Sequence, residues 1–195
     1  MNVNLLEKLW KAVVRGDFEL DRRGLVVPPL GVAANGVYEH WVNDEAHQFD
    51  SNTTTNEGLI YLLVTGLLNG SKLPSWYVAL FSANYTPDVT LTASSFRDTA
   101  SEIVSPTEGY TNATRVAWTP ATNPIVPTLT NAASPAEFTI ATASSLVVRG
   151  AAILSEPAKG AVTGKLLSAA QFGNARTVYD TDLFYVRYSL QLTPA

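Results

Sequence analysis

The chain contains no cysteine, which excludes disulfide bonds, thiolate metal sites and cysteine nucleophiles. It also has no long apolar run: the segment from Leu59 to Leu68 is about half of the ~20 residues that a membrane-spanning helix needs. The first residues reach charged Glu7 and Lys8 at once, without a basic n-region or a cleavage site. We therefore expect a soluble chain that is not exported and has no membrane partner.

Charge is scarce as well. Charged residues make up 15% of the 195 residues, against ~25% in an average domain. The net charge of −4 has the wrong sign for a protein whose partner is a nucleic acid backbone. Between Val116 and Val148 the single charged residue is Glu137. Such a composition is too apolar for a disordered tail, and it suits short strands, tight turns and close protein neighbours.

Short strands dominate the pattern after residue 36. The clearest is the last, in which Phe184, Val186, Tyr188, Leu190 and Leu192 alternate with polar residues and so share one face. Further strands are predicted over residues 37–42 (after an Asn35-Gly36 turn), 76–81, 114–118, 136–142 and 146–154. Because they lack the strand–helix alternation of a parallel sheet, we expect a mainly β fold, an antiparallel β-sandwich.

Helices are predicted at three places in the same region. The capping-box pattern Thr54-x-x-Glu57 predicts a helix start, and Asn69-Gly70 predicts its end. This helix is apolar on most sides, which is typical of a central packing element. A helical turn is expected within residues 92–101, and a short amphipathic helix over residues 164–172.

The N-terminal segment, residues 1–35, differs from the predicted sandwich over residues 36–195. An eleven-residue helix is predicted at the start, with one apolar stripe formed by Leu5, Leu6, Leu9, Trp10, Val13 and Val14. An apolar stretch with a double proline follows, which favours an extended arm: Leu25, Val26, Val27, Pro28, Pro29 and Leu30. Packing on the chain's own sandwich stays open for the helix, and for the arm we favour a partner. The candidate partner interface comprises Leu5, Leu9, Trp10, Val13 and Leu25 to Leu30.

No residue pattern in the sequence points to catalytic or metal-binding chemistry. His40 and His47 lie near Asp44, Glu45 and Asp50, but the spacing matches no known metal site and favours a solvated acidic loop. The segment from Gly66 to Lys72 has too few residues for a phosphate loop, and a helix C-cap explains it better. We therefore expect no catalytic residue, no metal site and no cofactor, and the chain is not expected to be an enzyme.

Two residue sets leave a carbohydrate site open as an alternative. A glycosidase needs a carboxylate pair, for which Glu102, Glu108, Glu137 and Glu156 are available. A sugar platform needs exposed aromatic rings, for which the four tryptophans are candidates: Trp10, Trp41, Trp76 and Trp118. The carboxylates are interpreted as solvated turn residues and the tryptophans as core or interface anchors.

Five segments, in order, resemble small virion proteins of tailed bacteriophages. The first, Asn52-x-x-x-Asn56-Glu57-Gly58-Leu59-x-Tyr61-Leu62-Leu63, is similar to their opening segment, and Trp76-Tyr77-Val78-Ala79-Leu80 to the strand that follows it. The others are Arg115-x-x-Trp118, Asn131-x-x-x-Pro135-Ala136-x-Phe138-Thr139-Ile140, and Lys159-Gly160-x-x-x-Gly164-x-Leu166-x-Ser168-Ala169. The resemblance covers residues from about 50 to the C-terminus, or three quarters of the chain.

This resemblance implies a jelly-roll-like β-sandwich that cements or decorates the outside of a phage capsid. The implied partner is the major capsid protein, and the implied assembly is a homo-oligomer, a dimer or trimer at a local symmetry axis. Its location would be the virion exterior, after synthesis in the host bacterial cytoplasm. Two alternatives stay open: a tail or head-to-tail fibre adaptor, and a β-sandwich carbohydrate-binding module.

Overall fold

A computed structural model describes residues 32–194, together with the backbone of two short strands before them. The elements, in chain order, are β1 (Glu19–Leu20), β2 (Val26–Val27), β3 (Val32–Val42), β4 (Gln48–Ser51), β5 (Thr53–Thr54), α1 (Asn56–Leu67), β6 (Trp76–Phe81), α2 (Ala93–Ala100), β7 (Gly109–Tyr110), β8 (Val116–Trp118), β9 (Thr128–Thr130), β10 (Ala136–Ala141), β11 (Leu146–Leu154), β12 (Leu166–Val178) and β13 (Leu183–Pro194). The chain divides into two compact units, of which the larger is Asn35–Gln191.

In the N-terminal segment the described backbone forms a two-stranded antiparallel sheet. Glu19 pairs with Val27, and Leu20 pairs with Val26. Val26 and Val27, two residues of the candidate partner interface, thus form the paired strand β2. The other residues of the candidate partner interface lie outside the described residues: Leu5, Leu9, Trp10, Val13, Leu25, Pro28, Pro29 and Leu30. The predicted N-terminal helix also lies outside them.

Two antiparallel sheets contain most of the regular secondary structure of the described chain, so the prediction of a mainly β fold is confirmed. One sheet has the order β4-β3-β13-β10-β7, with β9 paired to β13, and the other has the order β5-β12-β11-β6-β8. The sheets pack face to face. Tyr38 on β3 donates a hydrogen bond to the carbonyl oxygen of Ser168 on β12 (3.2 Å), and Trp118 on β8 donates one to the carbonyl oxygen of Tyr188 on β13 (3.1 Å).

Strand β13 supplies much of the core between the sheets. Its residues alternate along the strand as the sequence predicts, and Phe184, Val186, Tyr188 and Leu190 are buried. The alternation ends at Leu192, which is 40% exposed. The predicted strands 76–81, 136–142 and 146–154 are confirmed as β6, β10 and β11, and residues 114–118 hold the shorter β8.

The predicted turn at Asn35-Gly36 is wrong, because β3 runs through it from Val32 to Val42. Gly36 serves instead as a point of close approach. A Cβ atom on Gly36 would lie 2.6 Å from the hydroxyl oxygen of Tyr188, so the glycine makes room for that buried side chain. The strand ends where the sequence predicts, at Asn43, whose φ of 47° lies in the left-handed region.

The predicted helix over residues 164–172 is also wrong. Residues 166–170 belong to β12, and all five are buried. One face of this sheet packs on the other sheet, and the opposite face packs on α2, where the rings of Phe81 and Phe96 meet edge to face with centroids 6.1 Å apart. A strand that is covered on both faces is apolar at nearly every position, here all but Ser168, and such a run cannot be told from a buried helix by its periodicity.

A buried ion pair joins the loops beside β8. Arg115 donates to both carboxylate oxygens of Glu102 at 2.7 Å, and both side chains are fully buried. Arg115 also donates to the carbonyl oxygens of Glu156 (2.9 Å) and Ala161 (3.2 Å), and the Gly160 amide donates to Glu102 at 3.1 Å. The pair therefore ties three stretches of chain together in the interior.

Candidate functional site: an exposed apolar helix

Helix α1 is anchored to the sandwich through its first turn. Thr55 is the N-cap residue, and its hydroxyl accepts a hydrogen bond from the Gly58 amide (3.0 Å) and donates one to the Leu166 carbonyl (2.6 Å). The sequence places this cap at Thr54, which is wrong by one residue because Thr54 pairs with Ser168 in β5. Gly58 lies against β12, so closely that a Cβ atom there would be 2.4 Å from the Leu167 carbonyl oxygen.

Glu57 holds the same end of the helix to two other elements. Its carboxylate accepts hydrogen bonds from the amides of Ala93 (2.9 Å) and Leu166 (2.8 Å), and the ammonium group of Lys165 lies 3.5 Å away. Glu57 thus caps the first turn of α2 rather than closing a capping box within its own helix. These contacts anchor the first turn of α1, and they involve none of the leucine, isoleucine or valine side chains of the helix.

Most of the large apolar side chains of the helix are exposed. Within α1 only Gly58 is buried, so the prediction of a central packing element is wrong. The exposed fraction is 60% at Ile60, 56% at Leu63 and 77% at Leu67, and Leu68 just after the helix is 72% exposed. The predicted end is confirmed: Leu68 is the C-cap, and the amides of Leu68 and Gly70 both donate to the Val64 carbonyl oxygen.

A groove of about 610 Å³ runs beside α1. Its lining is mostly apolar and includes Ile60, Tyr61, Val64 and Leu73. The Tyr61 hydroxyl accepts a hydrogen bond from the Leu73 amide at 2.9 Å, which holds the loop after the helix in place as one wall. The hydroxyl of Thr65, which also lines the groove, is buried and lacks a hydrogen-bond partner among the described residues.

We define the α1 face as the apolar side chains of this helix and its C-cap that are exposed, namely Leu59, Ile60, Leu63, Val64, Leu67 and Leu68. A contiguous apolar surface of this kind is unusual on a monomeric protein and marks a contact with another molecule. The sequence signal for it was present, because no charged residue occurs from Gly58 to Gly70. That signal was ambiguous, since a helix apolar all round is more often buried.

The two histidines do not share a site. His40 is fully buried, stacks on Phe172 with ring centroids 3.7 Å apart, and bonds to Asp50 at 2.9 Å. Burial lowers the pKa of His40 below its usual value of 6.5 and outweighs the opposing effect of Asp50. His47 bonds to Glu39 at 2.5 Å and stacks on Trp41. The solvated acidic loop is therefore wrong for His40.

Within the described part of the chain, no cluster of three or more histidine and acidic side chains could hold a metal ion.

Two of the four carboxylates considered for glycoside cleavage are occupied by hydrogen bonds within the fold. Glu102 is neutralised in the buried ion pair, and Glu108 bonds to the Thr142 hydroxyl (2.7 Å) and the Ala143 amide (3.1 Å). Glu137 is exposed on β10. Arg115 donates to the backbone carbonyl of Glu156 and not to its carboxylate. The interpretation of all four as solvated turn residues is thus wrong for Glu102.

Trp41 and Trp118 are buried, being 9% and 6% exposed. Trp41 lies between the rings of His47 and Tyr185, with centroids 4.2 Å and 5.1 Å away. Both therefore contribute to packing and present no ring face for a sugar. Trp76 is half-buried and meets Tyr61 edge to face at 5.1 Å, whereas Trp10 lies outside the described residues.

Comparison with known proteins gives no family assignment: no family model matches the chain, and no curated protein sequence matches it. In the described residues, no helix has the length and apolar character needed to cross a membrane.

Proposed function

We propose that this chain is a structural protein of a tailed-phage particle, which binds the outside of the capsid and cements or decorates adjacent coat subunits. The observation that carries the proposal is the α1 face, an uncharged apolar surface on a β-sandwich, which fits a contact with another subunit of an assembly. Proteins that work by assembly need such surfaces, because apolar burial supplies most of the free energy of protein association.

The ordered resemblance supports the phage assignment, and the structure gives its motif residues physical roles. Arg115 forms the buried ion pair, and Asn131 is buried and accepts a hydrogen bond from the Tyr188 amide at 2.8 Å. Lys159 donates to the Tyr110 carbonyl at 2.7 Å, and its ammonium group lies 3.7 Å from the centre of the Tyr110 ring. These residues hold the sandwich together, so the motifs they belong to are expected in proteins that share this fold. A jelly-roll-like arrangement of the two sheets is part of the proposal.

The mechanism would be geometric. A sandwich seated over a seam between capsomers links several coat subunits. Many modest contacts then give a high overall affinity, because each bound contact raises the effective concentration for the next. The contact with the coat protein is assigned to the N-terminal segment, through the stripe around Leu9 and Trp10 and the arm from Leu25 to Leu30. An extended, proline-containing arm loses little entropy when it is ordered on a partner.

The test is binding of the full chain to purified empty shells, followed by electron microscopy. The proposal predicts density at every equivalent seam, on the order of hundreds of copies per particle. The variant Leu9→Glu/Trp10→Glu should lose binding, whereas Phe49→Glu, a substitution at a 65% exposed residue of β4, should retain it. A single ring of copies at the tail vertex would support a tail adaptor instead, and absence of the protein from the particle would refute a virion role.

A further inference from the structure

The imidazole ring of His40 is fully buried where β4 of one sheet lies against β12 of the other. Its Nε2 atom lies 2.9 Å from a carboxylate oxygen of Asp50 on β4, and the Nε–H group of Arg176 on β12 donates a hydrogen bond to its Nδ1 atom at 3.4 Å. An ionised carboxylate can only accept a hydrogen bond, so Nε2 carries the ring proton and Nδ1 is the acceptor. The neutral ring therefore satisfies both partners at once.

The guanidinium group of Arg176 also reaches the loop between β3 and β4, residues 43–47. It donates to the Ala46 carbonyl oxygen at 3.0 Å and to the Glu45 carboxylate at 3.3 Å. One side chain thus joins the buried histidine to an exposed loop. We propose that His40, Asp50 and Arg176 form a proton-sensitive latch, which holds the 43–47 loop on β12 at neutral pH and releases it when His40 is protonated. The inference goes beyond the proposed phage role and does not rest on it.

Protonation acts at the ring nitrogen that faces Arg176. The second proton is added to Nδ1, because Nε2 already carries one. Nδ1 is then a donor that faces another donor, and two positive charges adjoin, so the hydrogen bond from Arg176 is lost. His40 itself is held by Asp50 and by stacking on Phe172, with ring centroids 3.7 Å apart. Arg176 is the partner that can move, because its side chain is 13% exposed, and its displacement breaks both contacts with the loop.

The groups that face the ring come from three strands. Strand β4 contributes Asp50, β12 contributes Arg176 as its charged group, and β13 contributes the uncharged ring of Phe184, whose centroid lies 6.0 Å away. Glu39 and its partner His47 lie on the opposite face of β3, because successive side chains of a strand point in opposite directions. The charges that act on the ring are therefore Asp50, which favours its protonation, and Arg176, which opposes it.

The direction of the pH dependence follows from proton binding. While the loop is held, burial above all, with a contribution from Arg176, keeps the pKa of His40 below its ordinary value of 6.5. When the loop is released, Arg176 moves away and water reaches the ring, so the pKa returns towards that value. The released state thus binds the proton more tightly and gains population as the pH falls. For a full return to 6.5, the ratio of released to held loop rises by up to about tenfold between pH 7.5 and pH 5.5.

Hydrogen exchange of the full chain, measured by NMR and expressed as protection factors, tests the proposal. The reporter is the Glu45 amide, which donates to the Val42 carbonyl oxygen at 2.8 Å within the loop. We expect its protection factor to fall by up to about tenfold from pH 7.5 to pH 5.5, and to stay below those of the amides of β11, the middle strand of its sheet. Equal protection at Glu45 and in β11 would mean that the loop opens only when the whole chain unfolds, which would overturn the proposal.

Two glutamine substitutions separate the histidines. His40→Gln keeps an amide donor for Asp50 but does not titrate, so the protection of the Glu45 amide should no longer depend on pH. His47→Gln is the matched control, at a histidine on the opposite face of β3 whose side chain is 41% exposed, and the pH dependence should persist in it. Arg176→Gln should lower the protection of Glu45 at both pH values, because the loop loses its contact with β12.

The ring nitrogens of His40 provide a test that needs no substitution. Their chemical shifts in the parent chain report which nitrogen carries the proton, and we expect it on Nε2 at neutral pH. A neutral ring with its proton on Nδ1 would overturn the proposal, since Arg176 could not then donate to that atom. The same conclusion would follow from a Glu45 protection factor that does not change with pH, or from one that keeps its pH dependence in His40→Gln.

Discussion

The buried ion pair between Arg115 and Glu102 allows a quantitative prediction of stability. Both side chains are fully buried, and the guanidinium makes hydrogen bonds to the carboxylate and to two backbone carbonyls. Arg115→Met leaves the carboxylate of Glu102 in the interior without its counter-charge. Loss of one partner from such a pair costs about 3–5 kcal/mol in the free energy of unfolding. For a chain of this size that is a fall in Tm of roughly 6–20 °C.

Urea and thermal unfolding, followed by circular dichroism, measure this effect directly. The matched control is Arg97→Met, because Arg97 and Asp98 form an exposed pair at 3.7 Å, which is worth less than about 1 kcal/mol. The double variant Arg115→Met/Glu102→Met should recover only part of the loss, since the Glu156 and Ala161 carbonyls and the Gly160 amide lose their partners too. A loss below about 1 kcal/mol for Arg115→Met would refute the reasoning, because it would place the pair with surface ion pairs.

Three further predictions concern His40 and two glycines of α1, Gly58 and Gly66. Because the pKa of His40 is lowered in the folded chain, the unfolded chain binds more protons than the folded chain below pH 6.5. The free energy of unfolding should therefore fall as the pH drops from 7.5 to 5.5. The slope is at most about 1.4 kcal/mol per pH unit, the value for one proton. Urea titrations should show this dependence in the parent chain and in His47→Gln, and its persistence in His40→Leu would contradict the assignment. Gly58→Ala should cost about 1–3 kcal/mol, because the added methyl group meets the Leu167 carbonyl. Gly66→Ala should raise the free energy of unfolding by roughly 0.5–1 kcal/mol, because alanine is the better helix former and a Cβ atom there meets no described atom within 4 Å. Thermal unfolding measures both glycine variants, and a change in stability of the same sign in the two would contradict the reasoning.

Local patterns in the sequence determined the class of the fold and six of the thirteen described strands, β3, β6, β8, β10, β11 and β13. Alternation predicted β13 because its two faces differ in environment, and the apolar run over residues 76–81 predicted β6. The helix end near Asn69-Gly70 and the strand end at Asn43 followed from residues that tolerate positive φ. Each of these features depends on a few neighbouring residues, and for that reason a single sequence is enough to find them.

Tertiary structure decided what is buried and what is exposed. Residues 166–170 and helix α1 are both apolar runs, yet the first is a strand covered on both faces and the second is an exposed helix. Nothing in either run shows whether a neighbouring layer covers it, because the cover comes from residues far away in sequence. The same holds for Glu102, which became an interior charge only because Arg115 reaches it. The α1 face, and with it the candidate interface, could therefore be found only in the folded chain.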